Sequence, residues 1–252
     1  MPEQEKTEKT EQSKAEAPSD SKPKPASARP KRGRPSRTRQ NNKAKVSESI
    51  SVKKEKPKEI VLVEPSTLFI KNLKGNRPII GLTAYDTIMG AAVSGANVDF
   101  ILVGDSLGTT LLGYETTIPV TMDDMVRHTS AVRRANPQCL VVADLPFGEA
   151  SLSFDRLLES CRRLMQEGGA DAVKIEGGRD VADDIEKLVA TGIPVLGHIG
   201  LLPQTVKAIG GYRKFGEIKE EAQSIYTDAI TLEEAGCFAI IAEMLDEKVA
   251  SE

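Results

Sequence analysis

Six short apolar runs, spaced by amphipathic stretches, set the rhythm of the chain. They fall at 79–83 (IIGLT), 100–103 (FILV), 139–143 (CLVVA), 172–175 (AVKI), 195–198 (VLGH) and 238–242 (FAIIA). Runs that are apolar at consecutive rather than alternate positions read as strands buried on both faces, as in parallel sheets. Between them the spacing predicts helices. One is led by Ala84-Tyr85-Asp86 and stops near Gly95. A second starts at Thr121, an N-cap with Asp123 and Asp124 in the first turn, and ends near Ala135 before Asn136-Pro137. Others cover about 154–167, stopped by Gly168-Gly169, then 181–191, and 218–235, stopped by Gly236. Residues 60–74 lead into the first strand, and 204–216, with Gly210-Gly211-Tyr212, form a long functional loop. Six alternations of strand and helix with short connections require a parallel sheet with right-handed crossovers. The expected fold class is α/β, a TIM (βα)8-type barrel of which about six βα units are present. A doubly wound open sheet competes on pattern alone.

The pattern begins only after residue 60, and charge marks the same boundary. Residues 1–60 hold 17 Lys and Arg against 9 Asp and Glu, a net of +8, whereas 61–252 hold 17 against 28, a net of −11. Without aromatic residues and with few branched apolar ones, 1–60 cannot bury enough surface to offset chain entropy. It is expected to be a disordered basic tail, followed by an incomplete βα-barrel catalytic domain at 61–252. Within the tail, Pro30-Lys31-Arg32-Gly33-Arg34-Pro35 resembles an AT-hook, whose Arg-Gly-Arg core lies in the narrow minor groove of A·T-rich DNA. That motif implies a weak nucleic-acid contact; the simpler alternative is a solvated linker. No apolar run is long enough to span a bilayer, and the N-terminus has neither a secretory apolar core nor the acid-poor composition of a transit peptide. The cytoplasm is the expected compartment. Cys139, Cys161 and Cys237 lie singly in apolar or helical runs, as reduced core residues rather than a disulfide or zinc framework.

Polar groups emerge where five of the apolar runs end. Asp105 and Ser106 follow the second, Asp144 the third, Glu176 the fourth after Lys174, and Glu243 the sixth, while His198 closes the fifth. Ligands of α/β proteins gather at the carboxyl ends of strands, so this recurrence points to one site. Asp105 and Asp144 brought together there repel unless a hard divalent ion sits between them. Helix N-capping is the alternative for either aspartate. Lys174 and Glu176, two apart, share one face of their strand, and the inward face avoids burying an ion pair beneath helices. There Lys174 could hold an anionic substrate or form a Schiff base, or simply make a structural ion pair. His198 reads equally as a site residue or a satisfied core histidine, and His128 as a surface residue on a helix. Glu243, leaving apolar surroundings, suits a general base.

From about residue 76 to 252 these stretches together resemble the ketopantoate hydroxymethyltransferase family. The resemblance is carried by LTAYD, VGDSLG, GYETTIPVTMDDM, HTSAVRRANP, VVADLPF, AVKIEGG, GIPVLGHIGLLPQ, GGYRKFG and the Ala-Glu-Met around Glu243. It implies a cytoplasmic, homo-oligomeric TIM barrel with bound Mg²⁺. It further implies transfer of a hydroxymethyl group from 5,10-methylenetetrahydrofolate to 3-methyl-2-oxobutanoate, giving 2-dehydropantoate for pantothenate synthesis. Carried over by position, Asp105 and Asp144 would be magnesium ligands, with Glu176 also at the metal. Asp105, Ser106, Asp144 and Lys174 would contact the ketoacid, Glu243 would accept the proton, and His198 would support it. The alternatives are another Mg²⁺-dependent 2-oxoacid barrel enzyme of the phosphoenolpyruvate mutase or lyase type, or an inactive truncated homologue with a DNA-binding tail. Two features depart from the family pattern. One is the basic tail; the other is the stop at Ser251-Glu252, where the family continues through two more strands, so that unpaired edges and low stability are expected.

Overall fold

The structure, a computed structural model, describes residues 65–252. The basic tail and its Arg32-Gly33-Arg34 core lie outside the described residues. In chain order, α1 (Thr67–Leu73) precedes β1 (Gly81–Thr83), α2 (Thr87–Ser94) and β2 (Phe100–Val103). Then come α3 (Leu107–Thr110), α4 (Met122–Arg134), β3 (Leu140–Asp144), α5 (Phe154–Gln166) and β4 (Ala172–Glu176). The described chain ends with α6 (Ala182–Ala190), β5 (Val195–Gly200), α7 (Val206–Ile209), α8 (Lys219–Glu234), β6 (Ala239–Glu243) and α9 (Glu247–Ser251).

The six strands form one parallel sheet in sequential order, β1-β2-β3-β4-β5-β6. An order that never reverses is the order of a barrel wall, and it excludes the doubly wound alternative, which needs a switch point. The two sheet faces separate cleanly. Ile101, Val103, Val141, Ala143, Val173, Ile175, Val195 and Ile199 join the cluster that packs against the helices. Leu140, Val142, Ala172, Leu196 and Phe238 form a second cluster on the opposite, inner face. Ile70 and Leu73 of α1 complete it, covering the residues with which the strands begin. Nothing at 60–74 predicted that helix, which is only seven residues long and capped by Ser66, whose hydroxyl accepts from the Phe69 N–H at 3.2 Å.

Helix signals elsewhere were strong. Asp86 caps α2 by accepting from the Met89 N–H at 2.7 Å. Thr121 and Asp124 satisfy each other's backbone N–H groups in a capping box at the start of α4, while Met125, Thr129 and Val132 bury one face of that helix. The expected long loop at 204–216 is partly helical, with a 3₁₀ turn at Pro203–Thr205 leading into α7.

The strands are not equally buried. Every residue of β3 and β4 is buried, but all of β1 is exposed and β6 is mostly half-buried. The first apolar run is also trimmed: Ile79 and Ile80 precede β1 and are exposed. Among the described residues β1 and β6 each pair on one side only, so neither reaches the double-sided burial that the apolar runs predict.

Candidate active site

Register brings the polar strand ends together. Asp144 stands beside Lys174, Glu176 beside His198, and Glu243 beside Gly200 on neighbouring parallel strands. Asp144, Lys174, Glu176 and His198 continue the inner-face ladder, not the helix-packed one, and all four are buried. The inward placement expected for Lys174 and Glu176 is therefore the one observed.

Asp105 and Ser106 arrive by a turn beyond β2. A Cβ on Gly104 would come within 2.8 Å of the Ser106 Oγ, so the glycine leaves room for that hydroxyl to fold back. There it meets the Tyr85 hydroxyl at 2.9 Å. Neither aspartate caps a helix: Ser106 is the N-cap of α3, without a side-chain bond. Asp105 Oδ2 accepts from Gln204 Nε2 at 3.0 Å, and the Asp105 N–H lies 3.4 Å from Asp144 Oδ2. The capping alternative is thereby excluded.

Lys174 Nζ donates to both oxygens of Asp144 at 2.7 and 2.6 Å and lies 3.7 Å from Glu176 Oε1. Burial disfavours its charge, but Asp144, Glu176 and Asp105 outweigh burial and raise its pKa. An ammonium so held is a poor nucleophile, which disfavours the Schiff-base reading; the ion pair with Asp144 is the structural alternative observed, and the charge is also placed to hold an anion. For Asp105, burial first and then the Asp144 carboxylate push the pKa up to about 7.

His198 sits between two carboxylates. Its Nδ1 is 3.5 Å from Glu176 Oε1 and its Nε2 is 3.1 Å from Glu243 Oε2. Burial works against its charge, yet these acids prevail and raise its pKa. Neither ring nitrogen is aligned for a true hydrogen bond, and Glu176 Oε1 is likewise buried without a partner. The Glu243 side chain is 38% exposed, so it stands at an open margin and not in the apolar surroundings expected of it. His128 is not a surface residue: it is half-buried and donates from Nδ1 to the Tyr85 carbonyl at 2.7 Å.

Asp105, Asp144 and Glu176 each offer an oxygen within 4.8 Å of the others. Three carboxyl groups this close crowd like charge in a buried place; Lys174 and His198 offset part of it, and without a cation Asp105 relieves the rest by holding a proton. The unpartnered Glu176 oxygen faces the same difficulty. A hard divalent cation with all-oxygen ligands answers both, so the residues present fit magnesium. Gln204 and Tyr85, not singled out as site residues by the sequence, also belong to this cluster. Only the chemistry of their neighbours could have marked them, because an amide and a phenol carry no spacing signature.

Residues 66–252 match the family described as ketopantoate hydroxymethyltransferase. Three relatives bear the name 3-methyl-2-oxobutanoate hydroxymethyltransferase. That of Pseudothermotoga lettingae is 47% identical over 180 residues, covering 71% of this chain and 68% of the relative. That of Shouchella clausii is 48% identical over 187 residues, covering 74% and 67%. That of Thermus thermophilus is 49% identical over 182 residues, covering 72% and 69%. Among solved structures, phosphonopyruvate hydrolase aligns with a TM-score of 0.55 at 12% identity, covering 73% of this chain and 66% of that one. The same protein in complex with oxalate and Mg²⁺ gives 0.53 at 13%, covering 70% and 62%. A 2,3-dimethylmalate lyase of the PEP mutase/isocitrate lyase superfamily gives 0.51 at 14%, covering 73% and 63%. At such identities the likeness is one of fold.

Proposed function

The chain belongs to the ketopantoate hydroxymethyltransferase family, and on that premise we propose that it transfers a hydroxymethyl group from 5,10-methylenetetrahydrofolate to 3-methyl-2-oxobutanoate, giving 2-dehydropantoate. The observation that carries this reading is the buried triad of Asp105, Asp144 and Glu176, with its unpartnered oxygen, beside the Lys174 ammonium.

In this reading Asp105 and Asp144, with Glu176 close by, would hold magnesium. When bound, that ion supplies positive charge at the ketoacid's carboxylate and keto oxygens, so that the third carbon becomes acidic. Lys174, fixed by Asp144, adds a second positive charge on the same face, and the Ser106 hydroxyl, braced by Tyr85, is placed to donate to the ketoacid. Glu243 takes the proton from the third carbon, and the carbanion attacks the folate methylene carbon as one of its C–N bonds opens. Water then replaces the remaining folate nitrogen on that carbon, supplying the hydroxyl and releasing tetrahydrofolate. His198 stands 3.1 Å from Glu243 on its buried side, in a supporting place beside the base.

The test is folate-dependent formation of 2-dehydropantoate with and without EDTA. Turnover should require both folate and a divalent ion, and Glu243→Gln should lower it by about 10²–10⁴-fold. Metal-independent turnover would sink the proposal. Activity on a 2-oxoacid without folate would move the protein to the lyase type whose fold it shares. The same family reading makes the catalytic domain a (βα)8-type barrel of which about six units are present here, cytoplasmic and homo-oligomeric, the last of which light scattering on the purified protein measures. Among the described residues no helix is long and apolar enough to cross a membrane.

A further inference from the structure

Gln204 takes no part in the proposed chemistry, yet three strand ends meet on it. Its side-chain amide donates to Asp105 Oδ2 at 3.0 Å and to the Leu145 carbonyl at 2.8 Å. Its backbone N–H donates to Glu176 Oε2 at 3.2 Å. One half-buried residue thus ties the turn after β2, the end of β3 and the end of β4.

The backbone that delivers Gln204 is itself constrained. Gly200 closes β5 at φ 88°, and a Cβ there would lie 2.3 Å from the Glu243 carbonyl. That carbonyl accepts from the Leu201 N–H at 2.9 Å, and Pro203 then opens the 3₁₀ turn on which Gln204 sits. The chain can turn back over the strand ends at that position only because residue 200 has no side chain.

We propose that Gln204 is a positioning residue for the acidic triad, holding the Asp105 and Glu176 carboxylates so that one oxygen of each stays turned toward a shared cation. Carboxylates at this separation repel and would splay apart without a tether. A lysine in this place would neutralise Asp105 and compete with the cation. The amide fixes the carboxylate without adding charge and leaves Asp105 Oδ1 outside its hydrogen bond. This inference rests on the metal reading of the site, and its effect lies on metal affinity, not on proton transfer.

The experiment is titration of the full chain with Mn²⁺, read by electron paramagnetic resonance without substrate, together with melting of each variant. Gln204→Ala removes the side-chain tether on Asp105 and leaves the backbone bond to Glu176, and Gln204→Met keeps the length but its side chain donates nothing. Both should weaken Mn²⁺ binding by about 10–100-fold, the usual cost of losing a group that orients a ligand, with an unchanged melting transition. Should the alanine variant melt early, the methionine variant decides. Mn²⁺ affinity within about twofold of wild type in a folded variant would overturn the assignment. Asp105→Asn separates the two claims. If wild type binds Mn²⁺ and Asp105→Asn does not, the metal site stands whatever Gln204 does. A wild-type chain that binds no Mn²⁺ removes the metal site, and the role of Gln204 with it.

Discussion

Asp105 is an acid that its surroundings hold toward the neutral state. Burial and Asp144 raise its pKa from 3.8 to about 7, so the folded protein retains a proton that the unfolded chain has released. The sign follows from linkage. A group whose folded pKa lies above its unfolded value gives its full stabilisation below the unfolded pKa, and that stabilisation is lost as pH rises through the folded one. In EDTA, therefore, the melting temperature should fall as pH rises from about 4 through about 7. The full shift corresponds to roughly 4 kcal/mol, an upper figure since neighbouring carboxylates share the proton. Magnesium should restore stability most at the alkaline end, and Asp105→Asn should flatten the profile. Equal melting at pH 5 and pH 8 without metal would show that Asp105 is not held protonated.

At the scale of elements, the helix most clearly specified by local chemistry is α4. Its capping box satisfies two otherwise unpaired N–H groups, and its buried face aligns Met125 with Val132. Thr121→Ala should cost roughly 1 kcal/mol in chemical denaturation, and Thr121→Ser should recover most of it. Elements of this kind were legible in the sequence because capping and two-sided burial leave local marks. β3, β4 and β5 were found to within a residue or two by their continuous apolar runs. What stayed hidden was non-local. α1, at seven residues, is too short for a helical period to show, Gln204 earns its place through partners 28 to 99 residues away, and Tyr85 through a hydroxyl 21 residues on. The candidate site divides the same way. Its acids were visible as interruptions of apolar runs, whereas the bonds between them depend on strand register.

For the whole molecule, charge divides along the sequence, with a net of +8 over 1–60 and −11 over 61–252. The acidic remainder carries the site, and the basic residues 1–60 carry Arg32-Gly33-Arg34. A nucleic-acid contact through that motif is expected to shift an A·T-rich duplex in gel electrophoresis, more weakly as salt rises and more weakly for Arg34→Ala. Equal binding by a chain lacking residues 1–60 would place any contact elsewhere.

The separation of the two sheet faces has a consequence for how the site can change. In β2 to β5 the inward residues carry even numbers, from Phe100 through Asp144, Lys174 and Glu176 to His198; in β6 they carry odd ones, ending at Glu243. Catalytic groups are thus written in a reading frame of two, reset only in the connections between strands. One residue inserted within β4 would turn Lys174 or Glu176 toward the helices and an aliphatic residue toward the ketoacid. Two residues would preserve the frame and shift the site by about one strand repeat, some 7 Å. Point substitutions and changes of connection length are therefore the open routes for such a site, and single insertions inside its strands are closed ones.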